Sequence, residues 1–400
     1  MALTPVKMAQ DLVVKGVKPL SAERVAIENA QGRVLAKSIV AKRNQPPFAA
    51  SAMDGYAVRS ADVSGLPVTL KVIGMSAAGH QFKGKVRPGS AVRILTGAPV
   101  PHGTDTVVIQ ENTTHALGVV TILEAPPPGK HIRRVGLDFE KGDELLAAAT
   151  LLRPRDLGLA AAGNAALLSV RKKPRVVLFA TGDELVLPGV KANSDQIYSS
   201  NSHALAAMAQ KLGAEVVNLG IVRDSLKATI AAVKKGLSGD ILLTTGGASV
   251  GDHDFVQAAF KACGVKIDFW KIAMRPGKPF MYGRRGRTHV MGLPGNPVSA
   301  LVTAQLFLKP LINAMLGLPP FQAETQAILG QDMPSNDGRE DYVRATLDVA
   351  ADGLRTATPF AQQDSSMQKT MQKANCLIVR PVGGVAVKAG AMVSVLLLDL

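Results

Sequence analysis

The sequence predicts a multi-domain α/β protein whose largest part is a three-layer α/β domain with a mostly parallel sheet. Between residues 175 and 316, apolar strands alternate with helical segments, which is typical of such a sheet. Short Val-, Gly- and Pro-rich runs over residues 46–132 predict an inserted small β domain. Short strands with turn signals over 323–400 predict a second small β domain. A chain of 400 residues exceeds what one core usually holds, so two to four domains are expected.

Composition narrows the class of protein. The chain is 47% hydrophobic, with 38 Gly and 24 Pro, as in a turn-rich globular protein. Two cysteines, Cys263 and Cys376, are too few for a disulfide framework or a cysteine zinc site, and they fit a reducing compartment. The N-terminus has no apolar signal region, and no run is long enough to predict a membrane span. We therefore expect a soluble cytoplasmic protein with no membrane association.

The net charge of +15 is compatible with nucleic acid or with anionic small molecules as ligands. Single-stranded nucleic acid needs aromatic stacking platforms, and the chain has only 1 Trp, 4 Tyr and 11 Phe. Its basic residues lie in short scattered groups. The sequence therefore favours small anions and predicts no nucleic-acid partner.

The first elements in the chain are predicted to be helical. Residues 5–40 are predicted as helix, with an amphipathic run that starts at Ser21, and residues 153–169 as a second helix after Pro154. Because the inserted β domain lies between them, the two helical segments are expected to pair in space.

The α/β domain then follows in order. The pattern predicts a strand at V-V-L-F, a helix over 202–212, a strand at E-V-V-N-L-G, a helix capped by Asp224-Ser225, and a strand at I-L-L. A helix over 254–263, the strand V-K-I-D-F-W, a hairpin near Gly283–Arg287 and a helix from Pro297 to Leu316 complete it. Ligands bind at the carboxyl ends of such strands, where residues 181–184 and 244–247 are predicted to lie.

The segment D-I-L-L-T-T-G-G-A-S-V-G-D-H-D, residues 240–254, is the most informative motif. A buried strand leads into Gly246-Gly247, where a ligand can approach the backbone closely. Helix-start amides favour an anion, and Asp252 and Asp254 would repel it unless a cation lies between them. The motif therefore suggests a metal-bridged phosphate or oxyanion site. A tight turn with Asp252 as helix N-cap is the alternative.

Two further groups suggest the same chemistry. In A-T-G-D-E-L, residues 180–185, adjacent acids follow a strand and suit either Mg²⁺ or a helix start. In F-W-K-I-A-M-R-P-G-K-P-F, residues 269–280, Lys271, Arg275 and Lys278 lie within eight positions. G-L-P-G-N-P leads into a helix at Pro297, so a helix start and a cation cluster together predict a phosphate site. A solvated basic edge is the alternative for the cations.

Three loop motifs complete the candidates: P-P-F-A-A-S-A-M-D-G-Y-A (46–57), I-L-T-G-A-P-V-P (94–101) and R-R-V-G-L-D-F (133–139). Asp54, Thr96 and Asp138 in them are equally compatible with ordinary turns. No Ser/His/Asp or Cys/His arrangement is evident, and His253 is interpreted as a neighbour of the site. The chemistry that the residues predict is electrostatic.

Six of these motifs, in order, resemble the molybdopterin molybdenumtransferase family, which includes the gephyrin E domain: S-A-M-D-G-Y-A, I-x-T-G-A-P, T-G-D-E-L, T-x-G-G-x-S-V-G-x-x-D, P-G-K-P and L-P-G-N-P-V-S. The resemblance covers nearly the whole chain and is weakest after about residue 320. It implies a molybdopterin-binding α/β domain (1–20 and 170–320), an elongated helical linking domain (21–42 and 140–169), an inserted β domain (43–139) and a C-terminal β-barrel (321–400).

The resemblance also implies the reaction, in which adenylyl-molybdopterin and molybdate are the substrates and molybdenum cofactor and AMP the products, with Mg²⁺ as cofactor. It implies a homodimer, and as possible partners the adenylylating enzyme and recipient molybdoenzymes. The implied catalytic residues are Asp54, Thr96, Asp138, Glu184, Asp224 and Asp254, of which Glu184, Asp224 and Asp254 are the expected Mg²⁺ ligands. The implied substrate-binding residues are Gly246, Gly247, Ser249, Lys271, Arg275, Lys278, Pro294, Gly295, Asn296, Arg339, Arg344 and Ser365.

The chain departs from the family pattern at two places. Arg275 replaces the usual lysine, so a bidentate guanidinium replaces a point charge. In Q-D-S-S-M-Q-K-T-M-Q-K-A-N-C, residues 363–376, Ser365 is kept, but Ser366, Thr370 and Cys376 stand at the other motif positions. A tungstate-inserting enzyme and a non-catalytic scaffold of the gephyrin type are the alternative functions.

Overall fold

The computed structural model describes residues 3–247 and 255–398. The chain forms two compact units. The larger comprises Met1–Glu23, Gly32–Ala36 and Val170–Leu400, and the smaller comprises Arg24–Gln31 and Lys37–Ser169. The chain therefore passes from one unit to the other several times.

The helices and strands have the following bounds. The helices are α1 (Val6–Val14), α2 (Pro154–Ala162), α3 (Asn201–Lys211), α4 (Leu226–Gly236), α5 (Phe255–Ala262), α6 (Pro297–Thr303), α7 (Lys309–Leu316) and α8 (Gln368–Lys373). The strands are β1 (Ala22–Ala26), β2 (Ile39–Val40), β3 (Ala50–Ser51), β4 (Gly55–Val58), β5 (Val68–Ser76), β6 (Ser90–Ile94), β7 (Thr106–Ile109), β8 (Thr113–Ala116), β9 (Val119–Ile122), β10 (Ile132–Arg133), β11 (Glu144–Leu146), β12 (Leu167–Arg171), β13 (Arg175–Thr181), β14 (Leu185–Val186), β15 (Ile197–Tyr198), β16 (Glu215–Val222), β17 (Ile241–Thr245), β18 (Lys266–Trp270), β19 (Met274–Arg275), β20 (Met281–Arg285), β21 (Thr288–Leu293), β22 (Thr325–Leu329), β23 (Glu340–Val349), β24 (Arg355–Pro359), β25 (Cys376–Arg380) and β26 (Met392–Leu397).

The larger unit contains the predicted three-layer α/β domain. Its six-stranded sheet has the order β16-β13-β17-β21-β20-β18. The first four strands are parallel to one another, β20 is antiparallel to them, and β18, which pairs antiparallel with β20, again has the direction of the first four. All residues of β17 and β21 are buried, as expected for central strands covered on both faces. One apolar cluster packs α1, α3, α6 and α7 on one face of the sheet, and a second packs α4 and α5 on the other.

The helix predicted from Pro297 to Leu316 is confirmed. It runs through α6, a π-helical segment (Ala304–Leu308) and α7. It is long and apolar enough to span a membrane, but 78% of its apolar window is buried inside the fold, as in the core helix of a globular domain. Gly317, at φ 78°, ends it in the left-handed conformation.

A closed β-barrel follows, as predicted for the C-terminal region. β23, β24, β22, β26 and β25 pair in this order, and β25 pairs back with β23 to close the barrel. Ala345, Ala357, Cys376, Ile378 and Val395 are fully buried in its core. Strand β19 pairs alongside the start of β23.

The smaller unit is predominantly β structure. Its main sheet has the order β7-β4-β6-β5-β9-β8, and two short pairs, β10-β3 and β11-β2, lie beside it in the chain. Tyr56, Leu70, Val108, Val120 and Ile122 form its apolar core. The prediction of a small β domain over residues 46–132 is confirmed.

The prediction of helix over residues 5–40 is wrong beyond α1. The helix ends at Val14, and Gly16 at φ 71° and Pro19 follow, neither of which continues a helix. The segment that starts at Ser21 forms β1, in which Ala22 and Arg24 are exposed and Glu23 and Val25 half-buried. This alternation has a period of two residues, so the run read as an amphipathic helix is a strand.

The second predicted helix, 153–169, is correct only in its first part. It begins at Pro154, where the Asp156 carboxylate accepts a hydrogen bond from the backbone N–H of Arg153 at 2.8 Å. It ends at Ala162, and Asn164 takes a left-handed φ of 63° before β12 starts. The two segments expected to form an elongated helical domain therefore contain more strand than helix.

The carboxyl end of α1 is anchored by a buried polar network. Arg284 donates hydrogen bonds to the carbonyl oxygens of Leu12 (3.0 Å) and Lys15 (2.8 Å) and to the Tyr282 hydroxyl (2.8 Å). The Tyr282 hydroxyl lies 3.1 Å from the Val13 carbonyl and 2.8 Å from Nδ1 of His289. If Tyr282 donates to Val13, then Nδ1 of His289 must carry its proton and donate to Tyr282. A guanidinium at the last helical turn also stabilises the helix dipole.

This network predicts a pH dependence of stability. Burial, together with the Arg284 charge, lowers the pKa of His289 to about 4. Because unfolded His289 titrates near its ordinary value of 6.5, the neutral folded form is fully stabilised above pH 6.5 and loses stability as pH falls towards 4. We expect His289→Gln to remove a pH-dependent loss of about 3 kcal/mol over this window. Urea unfolding of the parent and the variant from pH 7 to pH 4 measures it, and parallel pH profiles would contradict it.

A helical glycine in the smaller unit offers a stability test. Gly158 lies exposed within α2, and a Cβ added there would have no neighbour within 4 Å. Gly158→Ala should raise the free energy of unfolding by about 0.5–1 kcal/mol, because alanine loses less backbone entropy in a helix. Gly163→Ala is the matched control, since its Cβ would lie 2.4 Å from Cδ1 of Leu145 and should be destabilising. A lower melting temperature for Gly158→Ala would contradict the prediction.

Candidate active site

The candidate site lies at the carboxyl edge of the six-stranded sheet. β13 lies between β16, which follows it in the chain, and β17, which follows later, so the order of connection reverses between β13 and β17. Ligands of open α/β sheets bind in the crevice at such a switch point. Here the ends of β13 and β17 carry Thr181 and Thr245, and the two predicted glycines follow β17.

Gly246 is required where it lies. Its φ is +87°, and a Cβ at this position would lie 2.3 Å from the carbonyl oxygen of Thr181. A side chain would therefore clash with the backbone of the neighbouring strand. Gly247, at φ +60°, is also in the left-handed region. Gly295 lies next to Gly246, since a Cβ added to Gly295 would lie 3.6 Å from the Gly246 Cα. The three glycines form a floor of bare backbone.

Side-chain amides hold the surrounding loops. Asn201, the first residue of α3, donates hydrogen bonds to Oγ1 of Thr245 (2.9 Å) and to the carbonyl of Gly295 (2.7 Å). Thr245 in turn donates to the carbonyl of Pro294 at 3.1 Å. Asn296 donates to Oγ of Ser365 at 2.8 Å, so the structure brings these two predicted residues together. The sequence reasoning missed Asn201 and Thr245; their signal was a polar side chain at a strand or helix end on the predicted edge.

These residues enclose a cleft of about 460 Å³. Among the predicted residues, Glu184, Gly246, Gly295 and Asn296 line it. Its other walls are Ala180, Thr181, Leu185, Ile197, Tyr198, Ser199, Ser200, Asn201, Thr245, Pro297, Ser366 and Gln368. At the helix start, Pro297 has no N–H and the Val298 N–H donates to the carbonyl of Ser365 (3.1 Å), so fewer amides face a ligand than predicted.

Beside this cleft, Asp183 and Asp224 are joined by two hydrogen bonds between backbone and carboxylate. The Asp183 N–H donates to the Asp224 carboxylate at 3.3 Å, and the Asp224 N–H donates to the Asp183 carboxylate at 3.1 Å. Glu184 is exposed and bends back over Gly182, whose Cβ would lie 2.5 Å from a Glu184 carboxylate oxygen. Asp183 was missed as a site residue although it stands in the same motif as Glu184.

The donor set fits Mg²⁺ held partly by the protein. The part of the chain that the structure describes contains no group of three His, Cys, Asp or Glu side chains arranged for a metal ion. Asp224, Asp183 and Glu184 nevertheless supply carboxylates at one edge, and Mg²⁺ commonly uses one or two carboxylates with phosphate oxygens and water. The predicted Asp254 and Ser249, together with Asp252 and His253, lie outside the described residues.

The three predicted cations do not line this cleft. β18 runs parallel to β17, so Lys271, directly after β18, lies at the same edge, three strand spacings or ~14 Å from β17. The backbones of Lys271 and Lys278 are held together by bonds from Lys271 N–H to Phe280 (3.1 Å) and from Ile272 N–H to Lys278 (2.9 Å). Lys271 has a left-handed φ of 81°, a strained conformation typical of functional positions, and its Nζ lies 4.9 Å from the Trp270 ring centre.

The predicted arginines have acidic or buried surroundings. Arg275 forms an ion pair with Asp341 and lies 3.6 Å from Asp337, and Arg339 donates to Asp337 at 2.8 Å. Arg344 is only 1% exposed and donates to Oε1 of Gln363 at 3.3 Å. The prediction that Arg344 contacts an anion is not supported, because its side chain is buried and does not reach the surface.

In the smaller unit, two predicted residues are bonded to each other. The Asp54 carboxylate accepts hydrogen bonds from the Thr96 N–H (2.6 Å) and the Thr96 hydroxyl (2.7 Å). These bonds lower the pKa of Asp54, so its carboxylate is ionised at neutral pH. The Asp54 side chain is exposed. Asp138 is also exposed, and its N–H donates to the carbonyl of Gln45 at 2.9 Å.

Comparison with known proteins identifies the class. Residues 4–163 match the MoeA N-terminal region (domains I and II), residues 177–314 a probable molybdopterin binding domain, and residues 326–398 the MoeA C-terminal region (domain IV). The chain is 38% identical to molybdopterin molybdenumtransferase of Haemophilus influenzae, over 94% of each chain, and 36% identical to molybdopterin molybdenumtransferase 2 of Mycobacterium tuberculosis, over 96% of each. It superposes on a molybdopterin biosynthesis MoeA protein of Pyrococcus horikosii with a TM-score of 0.84, at 30% identity and 99% coverage of both chains.

The three-layer domain, its glycine-floored cleft and the closed C-terminal barrel define a MoeA-type biosynthetic transferase. The chain belongs to the molybdopterin molybdenumtransferase family.

The close approach at the switch point gives a direct test. Gly246→Ala should lower the free energy of unfolding by about 2–4 kcal/mol and abolish activity, because the new Cβ both meets the Thr181 carbonyl and strains a left-handed backbone. Gly295→Ala is the stability control, since its nearest contact would be an ordinary 3.6 Å. Thermal unfolding of both variants measures the effect. Equal melting temperatures would show that the crevice is not so constrained.

Proposed function

We propose that this chain catalyses the last step of molybdenum cofactor synthesis, in which adenylyl-molybdopterin and molybdate give molybdenum cofactor and AMP in a Mg²⁺-dependent reaction. The observation that carries the proposal is the glycine-floored cleft at the sheet switch point, with Glu184 in its wall and the Asp183–Asp224 pair at the same edge. Both substrates are anionic, and bare backbone with a carboxylate-held cation is suited to bringing two anions together.

Glu184 and Asp224 are the described residues that would hold Mg²⁺, together with Asp254 from the predicted motif. When bound, Mg²⁺ supplies positive charge that screens the phosphoanhydride and favours its cleavage. Asp224 is kept in place by its bonds with Asp183, so Asp183 acts as a positioning residue for it. The glycine turn admits the substrate phosphates without side-chain obstruction, and Asn201 keeps the turn and the Pro294–Asn296 loop in register.

Lys271 and Lys278 are proposed to hold molybdate or the pterin phosphate as point charges. Asp54, Thr96 and Asp138 take the polar and acidic roles that the family motifs assign to their positions, with Asp54 kept ionised by Thr96. No protein thiolate is needed, because the dithiolene sulfurs of the substrate bind the metal. Burial raises the pKa of Cys376 to about 12, so this cysteine is a thiol at neutral pH.

We propose a homodimer in the cytoplasm, and the adenylylating enzyme and recipient molybdoenzymes as its protein partners. These assignments follow from the family to which the chain belongs. A size measurement in solution tests the dimer, and pull-down with the adenylylating enzyme tests the first partner.

Asp224→Ala should reduce AMP release at least about a hundredfold while adenylyl-molybdopterin still binds, because the acid serves the reacting phosphoanhydride more than substrate affinity. Purified protein is incubated with adenylyl-molybdopterin, molybdate and Mg²⁺, and AMP release and reconstitution of a cofactor-free molybdoenzyme are followed. Equilibrium dialysis measures binding.

Asp11→Ala is the matched control, since Asp11 lies exposed on α1 and pairs only with Lys7 among the described residues. It should turn over as the parent does. Equal turnover in Asp224→Ala and the parent would remove Asp224 from the mechanism. Absence of molybdate-dependent AMP release in the parent would overturn the proposed function itself.

A further inference from the structure

The cationic loop of the α/β domain is joined to the barrel by main-chain pairing. β19 pairs parallel with the start of β23, with Met274 opposite Glu340 and Arg275 opposite Asp341. The Glu340 N–H donates to the carbonyl of Ala273 at 2.9 Å. The loop that carries Lys271 and Lys278 is therefore an edge of the barrel sheet as well as a part of the α/β domain.

The Arg275 side chain bridges two carboxylates across this junction. Its Nη2 donates to Asp341, and its Nη1 lies 3.6 Å from the Asp337 carboxylate. Asp337 is shared with Arg339, which binds it through both Nε (3.2 Å) and Nη2 (2.8 Å). A guanidinium reaches two separate carboxylates because its terminal nitrogens point in different directions, whereas a lysine ammonium is a single point.

Asp341 depends on this contact. Its side chain is 7% exposed, and within the described residues Arg275 is the cation at ion-pair distance from it. Its other oxygen, Oδ1, is buried without a hydrogen-bond partner there. A buried carboxylate without a counter-charge is strongly destabilising, so loss of Arg275 would leave Asp341 uncompensated. Arg380, opposite Asp341 in the barrel, donates instead to the carbonyls of Pro334 and Val385.

We propose that Arg275, Asp337 and Asp341 form an interdomain clamp, in which Arg275 is the positioning residue for the loop that carries Lys271 and Lys278. Together with Arg339, the two carboxylates make a cluster with equal numbers of positive and negative charges. The clamp keeps the cationic loop against the barrel. The part of this inference that concerns molybdate rests on the proposed function; the clamp itself does not.

A double-mutant cycle on the purified protein, measured by thermal unfolding, tests the clamp without an activity assay. Arg275→Gln and Asp341→Asn should each lower the melting temperature by about 3 °C or more. The double variant should melt no lower than the single variant with the lower melting temperature, because both changes remove the same ion pair. Arg275→Lys should lie between the parent and Arg275→Gln. Arg287→Gln removes an exposed guanidinium in the turn between β20 and β21 and should leave the melting temperature unchanged. Additive effects, or unchanged melting temperatures in both singles, would overturn the clamp.

The second readout separates positioning from anion binding. In the AMP-release assay, Lys278→Gln should raise the KM for molybdate about tenfold, because it removes a proposed anion contact. Arg275→Gln and Asp337→Asn should both raise the same KM by a smaller factor of about three, because each loosens the loop that carries Lys278. A rise in KM for Arg275→Gln with no rise for Asp337→Asn would show that Arg275 acts on the anion directly, and would overturn its positioning role. If the parent releases no AMP, the proposed function fails, and the thermal cycle still decides the clamp.

Discussion

The contact between Gly246 and the carbonyl of Thr181 is the constraint on which the candidate site depends. Two parallel strands end side by side at the switch point, and the chain leaves β17 so close to β13 that no side chain fits between them. This approach aligns the glycine turn with the Pro294–Asn296 loop, which Asn201 and Thr245 then hold by hydrogen bonds. The cleft is thus a property of strand order, with side chains added at its rim.

Electrostatic roles are separated along the same sheet edge. The acids follow β13 and β16, at one side of the glycine turn, and Lys271 follows β18, about three strand spacings away from β17. A substrate with a phosphoanhydride at the acid side and a second anion towards the lysines would span the edge. The barrel contributes through Ser365, which meets Asn296, and through β19, which carries Arg275.

Much of the α/β domain could be predicted because its strands are short, apolar and punctuated by glycine and capping residues. Ser225 caps α4 by accepting a hydrogen bond from the Ala228 N–H, as the pattern predicted. The prediction failed where the signal was ambiguous: residues 22–26 carry spaced apolar side chains that suit either a helix or an edge strand, and a Gly and a Pro upstream decided for the strand. The site motifs were recognisable for the same reason, since glycine turns and acids at strand ends leave a local pattern.

By itself, the sequence determined the order of the main strands and helices in the α/β domain, the two β regions, the residues at the strand ends and the family. Those properties are local, because they depend on side-chain periodicity, turn chemistry and short motifs. Only the tertiary structure decided which of these residues meet: Asp183 pairs with Asp224, Asn201 reaches Gly295, Arg344 is buried, and Arg275 faces acids from the barrel. Such contacts join positions from 41 to 94 residues apart, and in a chain of this length they follow from sheet order and packing, on which local patterns carry no information.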